Sequence, residues 1–321
     1  MRTAEYVSPM HPDKLCDRIS DAILDECLRQ DPSSRVAIET MGGHGIITIT
    51  GEVTTTAYFN AREIARSIAG DQYGVQVNIV EQSKEIKDRV DGGGAGDQGI
   101  MVGYACDSRN FIPYELFLAR DLCFFIYTRF AFDGKTQVTV GITGEITHVV
   151  VSWSHVTQKV LLDLVHEWID LHGHNKDVKI FVNHGGDWSI SGFEADTGVT
   201  GRKLAVDNYG PTVPIGGGAF SGKDPSKVDR SGAYKARQIA LKMLRQCGCN
   251  EVLVKIAYCI GYEYPVMIIA EIDGEKKDIL EEYREECSVN NIICDLELTK
   301  PIYLDLATNG HLGREALNWE L

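Results

Sequence analysis

Apolar residues recur along this chain at two spacings. Over residues 12–29, Leu15, Ile19, Ile23 and Cys27 return every fourth position, which draws one face of a helix. Pro12 suits the first turn, where its missing N–H would have no partner anyway. Asp13, Asp17 and Asp21 line a second face at the same interval. Like charges so placed repel, and they need a cation or basic partners. Helical patterns also run over 57–69, 113–130, 155–172, 231–247 and 276–287, the last one acidic and amphipathic. Alternation predicts strands at 36–40 and 45–56, at 136–142 and 146–153, and at 252–259 and 264–272. Short strands are expected at 75–80, 100–106 and 179–183.

A hairpin followed by a helix therefore appears three times, around 36–69, 136–172 and 252–287. This order predicts an α+β protein of three similarly folded units in a pseudo-threefold arrangement, each with helices on one face of a mixed or antiparallel sheet. The expected units are residues 1–82, 97–192 and 196–321, with spatial domains discontinuous in sequence. Residues 82–94 are polar, charged and glycine-ended. They read as a loop.

Composition narrows the function classes. The chain has 321 residues, 44% hydrophobic and 24% charged, ordinary for a soluble globular protein with a substantial core. No apolar run reaches membrane-spanning length, and the first residues lack a basic segment ahead of an apolar one. A cytoplasmic protein without a membrane partner is expected. Nine scattered cysteines do not read as a disulfide framework. A net charge of −14 argues against a nucleic-acid partner. Yet between Arg202 and Arg237 seven basic residues face three acidic ones, which points to a small anionic ligand in a focused field.

The centre of that basic stretch is Gly216 to Arg230. Its glycines let backbone N–H groups approach an anion closely. Lys223, Lys227 and Arg230 supply positive charge, and Asp224 and Asp229 supply carboxylates able to hold a metal. Such a run suits a polyphosphate with Mg²⁺. Gly217, Gly222 and Lys223 fit a G-x4-G-K frame, but the hydroxyl residue that a P-loop needs next is Asp224, followed by Pro225.

Four segments carry a family resemblance: His11-Pro12-Asp13-Lys14, Gly94 to Gly99, Thr200-Gly201-Arg202-Lys203, and Gly216 to Arg230. In this order, over about residues 5–319, the chain resembles the S-adenosylmethionine synthetases. The resemblance implies sulfur attack of L-methionine on C5′ of ATP, displacing tripolyphosphate that is then cleaved to phosphate and pyrophosphate. It implies that His11 lies near the departing oxygen, and that Lys135, Arg202, Lys203, Lys223 and Lys227 grip the triphosphate. Asp133 would contact ribose, Trp188 would stack on adenine, and Asp196 would bind ATP. Glu52, Gln82 and Asp97 would bind methionine. Asp13 and Asp229 would each hold one of two Mg²⁺ ions, and Glu39 a K⁺. The family further implies a homodimer with sites between subunits, or a tetramer, and a lid at 82–94.

This chain departs from the family pattern at Pro9-Met10, where Glu-Gly is usual, and at Ile215, where a histidine is. It also lacks an arginine beside Trp188. Two alternatives stand beside the leading reading: a different ATP-hydrolysing enzyme, and a non-catalytic nucleotide-binding homologue. The hydroxyl missing after Lys223 speaks against the first. The presence of His11, Asp13, Lys135 and Asp229 speaks against the second.

Overall fold

The computed structural model describes residues 1–82, 93–173 and 177–321. Three four-stranded sheets make up the frame. The first has the order β4-β3-β2-β9, from Gly74–Val80, Ile46–Thr54, Arg35–Gly43 and Gly198–Val199. The second has the order β1-β6-β7-β8, from Arg2–Val7, Gly134–Val140, Ile146–Trp153 and Lys179–Val182. The third has the order β12-β11-β10-β5, from Glu275–Asp278, Met267–Ile272, Glu251–Tyr258 and Gly99–Cys106.

All three expected hairpins form, as β2–β3, β6–β7 and β10–β11. The first two continue alike. A crossover helix, α2 (Ala61–Ala69) or α4 (Gln158–Leu171), returns the chain to pair β4 or β8 in parallel. The third continues differently, and the helix expected over 276–287 is mostly absent. Residues Glu275–Asp278 form an antiparallel edge strand, and only a single turn, Leu280–Tyr283, is helical. The cause is the two-residue turn Asp273-Gly274, whose φ angles of 45° and 90° match the hairpin turn that Asp-Gly favours. That local signal outweighs the helical charge pattern.

Each hairpin's first strand has a foreign neighbour: β9 beside β2, β1 beside β6, and β5 beside β10. Each of these neighbours leads towards a helix that packs on another sheet. After β1, helix α1 (Pro12–Gln30) lies on β2. After β5, helix α3 (Tyr114–Tyr127) lies on β1 and β6. After β9 come the turn α5 (Leu204–Asp207) and the long helix α6 (Val228–Cys247), which lies on β5 and β10. Strands are thus exchanged cyclically among the sheets.

Two apolar cores result. One joins the first and third sheets through Leu15, Ile19 and Ile23 of α1 and Ile239, Ala240 and Leu244 of α6. The other lies under the second sheet, around Trp153, Trp168 and Leu122. Among the described residues, no helix is long and apolar enough to cross a membrane. The loop expected over 82–94 lies, apart from its ends, outside the described residues.

Candidate active site

His11 is the N-cap of α1, and its Nδ1 accepts the Asp13 backbone N–H at 3.1 Å. Burial, with the Lys203 charge beside it, pushes its pKa down to about 3, and Lys135 adds to this. The imidazole is therefore neutral near pH 7, with its proton on Nε2.

Asp13, fully buried in the first turn, accepts the Val199 N–H at 2.9 Å through Oδ1. Its Oδ2 accepts Lys203 Nζ at 2.5 Å, and Arg202 Nε lies 3.2 Å from Oδ1. Burial opposes ionisation of Asp13, but the Lys203 ammonium and the Val199 N–H outweigh it, and its pKa is lowered.

Asp133 precedes β6 and accepts the Gly192 N–H at 3.1 Å. Burial raises its pKa against that bond and against Lys135. Its backbone carbonyl accepts Ser154 N–H, while the carbonyl of half-buried Trp188 accepts the next N–H, that of His155. Lys135 is exposed on β6 opposite Val7. Asp196 is exposed, and its charge acts on both His11 and Asp133. One group thus comprises His11, Asp13, Asp133, Lys135, Trp188, Asp196, Arg202 and Lys203.

A second group surrounds the glycine-rich loop. Lys223 bridges Ala37 of β2, and Ala37 pairs on its other side with Glu52 of β3. Lys223 Nζ donates to Asp229 Oδ2 at 2.5 Å. Glu39 is exposed on β2. Gln82 follows β4 two residues beyond Val80, the register partner of Glu52. Its side chain is buried, and Oε1 has no hydrogen-bond partner among the described residues. Asp97 precedes β5 and accepts the Gln98 N–H. Two residues on, a Cβ built at Gly99 would lie 3.7 Å from Asp229 Oδ1. Among the described residues, no hydrogen bond or ion pair joins the two groups.

Three residues of the basic stretch turn inward, contrary to expectation. Asp224 is spent on structure, accepting Val36 N–H, Ser226 N–H and Oγ, and Lys227 Nζ. Lys227 is buried against it. Arg230 is fully buried and forks onto Asp21, with its guanidinium bonds at 2.8 and 2.6 Å. Asp229 and Arg230 also lie inside helix α6, which starts three residues before the expected 231. An acidic residue in the first turn favours that earlier start.

The acidic stripe of α1 finds its basic partners in Lys203 for Asp13, Lys14 for Asp17 and Arg230 for Asp21. The stripe continues to Asp25, which accepts Tyr303 and Leu304 N–H. The sequence reading did not include Asp25, though its spacing from Asp21 was visible.

The S-adenosylmethionine synthetase N-terminal, central and C-terminal domain models match residues 1–86, 92–188 and 190–321. The S-adenosylmethionine synthase of Wolinella succinogenes is 40% identical, over 99% of this chain and 94% of its own. That of Mesoplasma florum is 37% identical, over 99% and 96%. The solved structure of an unusual S-adenosylmethionine synthetase from Campylobacter jejuni matches with a TM-score of 0.89 at 30% identity, covering 100% of this chain and 96% of the other. The family binds ATP and methionine and uses a divalent metal and K⁺. The chain belongs to the S-adenosylmethionine synthetase family and is a methionine adenosyltransferase, making S-adenosylmethionine from L-methionine and ATP.

Proposed function

We propose that the two groups are the two halves of an adenosyl-transfer site. The observation that carries this is the gathering of neutral His11 with Asp13, Arg202 and Lys203 at the start of α1. A thioether has a lone pair and no proton to lose, so the site needs no general base. Sulfur attacks C5′, the C5′–O bond breaks, and negative charge grows on the departing triphosphate oxygen. Catalysis then rests on positioning and on cations aimed at that charge.

His11 donates from Nε2 to the departing oxygen. Lys135, Arg202, Lys203 and Lys223 hold the triphosphate, which is afterwards hydrolysed to phosphate and pyrophosphate, while Lys227 stays paired with Asp224. Asp133 takes the ribose, Asp196 assists ATP binding, and Trp188 stacks on adenine. Glu52, Gln82 and Asp97 hold methionine, whose ammonium suits the unpartnered Gln82 Oε1.

Asp13 and Asp229 fit Mg²⁺ as hard oxygen donors. Space beside Asp229 is kept by Gly218, where a Cβ would fall 2.1 Å from the carboxyl carbon. Among the described residues no three metal-ligating side chains gather; each of these carboxylates would give one ligand to an ion, and phosphate and water would supply the rest. Bound Mg²⁺ supplies neutralisation of the triphosphate. Glu39 serves K⁺.

The two groups are completed across a homodimer in the cytoplasm. Met41, Ile46 and Val80 on the open face of the first sheet are 49%, 39% and 55% exposed, an apolar surface that a second copy would cover. Sedimentation separates dimer from tetramer, and a monomer that retains full activity would refute the shared site.

Lys135→Met tests the assignment of roles. Turnover should fall at least a hundredfold while methionine affinity changes less than threefold, because the ammonium acts on charge that develops in the transition state. An unchanged turnover number would remove Lys135 from the site. In the parent, phosphate and pyrophosphate should appear in equal amounts with product.

A further inference from the structure

Both carboxylates proposed for Mg²⁺ are held by lysines proposed for the triphosphate. Lys203 Nζ sits 2.5 Å from Asp13 Oδ2, and Lys223 Nζ sits 2.5 Å from Asp229 Oδ2. The two pairs lie in different groups and on different elements, yet they share one design. Lys203 and Lys223 are 13% and 22% exposed, while the carboxylates are 0% and 12% exposed. At Asp13 the other oxygen is also taken, by the Val199 N–H and Arg202. A divalent ion at Asp13 or Asp229 would meet an ammonium within a few ångströms. Like charges that close, in a partly buried setting where water screens them poorly, repel strongly.

We propose that these are exchange pairs: each lysine guards its carboxylate until a polyphosphate draws the ammonium away, so metal and polyphosphate enter together. This rests on the carboxylate and lysine roles proposed above. Lys227 is the contrast. Its partner Asp224 is fully buried and saturated by three further hydrogen bonds, so no metal can replace the lysine there.

The test is Mn²⁺ binding to the purified protein, followed by electron paramagnetic resonance and calorimetry, with and without tripolyphosphate. The parent should bind Mn²⁺ weakly alone and at least tenfold more tightly with tripolyphosphate. Lys203→Gln and Lys223→Gln should each bind Mn²⁺ alone about tenfold more tightly than the parent, and tripolyphosphate more weakly. Lys227→Gln removes the same charge from the same loop and should change Mn²⁺ affinity less than twofold. Thermal melts check that each variant is folded.

Asp13→Asn and Asp229→Asn separate this proposal from the reading beneath it. If neither lowers Mn²⁺ binding in the presence of tripolyphosphate, the carboxylates are not metal ligands and the underlying reading fails. If both lower it while neither lysine variant gains affinity for Mn²⁺ alone, the metal reading stands and the exchange proposal is overturned.

Discussion

At the scale of single residues, the position of the glycine-rich loop is set by where one Cβ is missing. Gly222 has φ of 81°, its carbonyl accepts Ile38 N–H at 3.0 Å, and its own N–H reaches Asp21 Oδ1 at 2.8 Å. A Cβ there would fall 1.9 Å from the Ile38 carbonyl oxygen. Lys223 follows directly, and Arg230 Nη1 donates to its carbonyl. Gly222→Ala therefore adds a left-handed backbone cost of about 1–2 kcal/mol and lifts the loop off β2. Its melting point should fall, and its affinity for tripolyphosphate should drop at least tenfold, by scanning fluorimetry and calorimetry. Unchanged values in both would show that the loop tolerates the displacement.

Among secondary elements, α1 acts as a spine. Asp13, Asp17, Asp21 and Asp25 accept backbone N–H groups from Val199, Gly201, Gly222 and the Tyr303–Leu304 pair in turn. One helix therefore sets the positions of the start of the site, the glycine loop and the helix Tyr303–Asn309. Burial makes two of these carboxylates, Asp17 and Asp25, costly to ionise. It raises Asp17 and Asp25 to about 6, at Asp25 against its two N–H donors. A folded pKa above the unfolded value of an acid means that stability is fullest below about pH 4 and is lost as pH rises through 6. Asp25→Asn carries no such charge. Relative to the parent, the variant should therefore gain on the order of 2–3 kcal/mol in unfolding free energy between pH 4 and 6. Denaturant melts across that range measure it, and a flat difference would mean that Asp25 titrates normally.

For the whole molecule, strand exchange makes the three sheets interdependent. Residues 97–192 contain β6, β7 and β8 but not β1, which covers the edge of β6, and their β5 is paired with β10. An isolated fragment of residues 97–192 should show no cooperative thermal transition, because it exposes an unpaired edge and a strand without its sheet. A cooperative melt near that of the full chain would show that the exchange is dispensable for folding.

Local pattern sufficed for the three hairpins and for α1. Alternation, four-residue spacing and clustered glycines with lysines are short-range signals, and each reflects chemistry within one element. It failed where two local signals competed, as at Asp273-Gly274 against the charge pattern of 276–287. Tertiary structure alone decided the rest. The direction in which Arg230 and Asp224 turn depends on partners up to 209 positions away. The exchange of β1, β5 and β9 rests on edge pairing between distant strands, and the parallel placement of β4 and β8 needs a helix to return the chain. Charge and periodicity name the residues that can do this chemistry, and long-range packing determines which of them face a ligand and which hold the scaffold together.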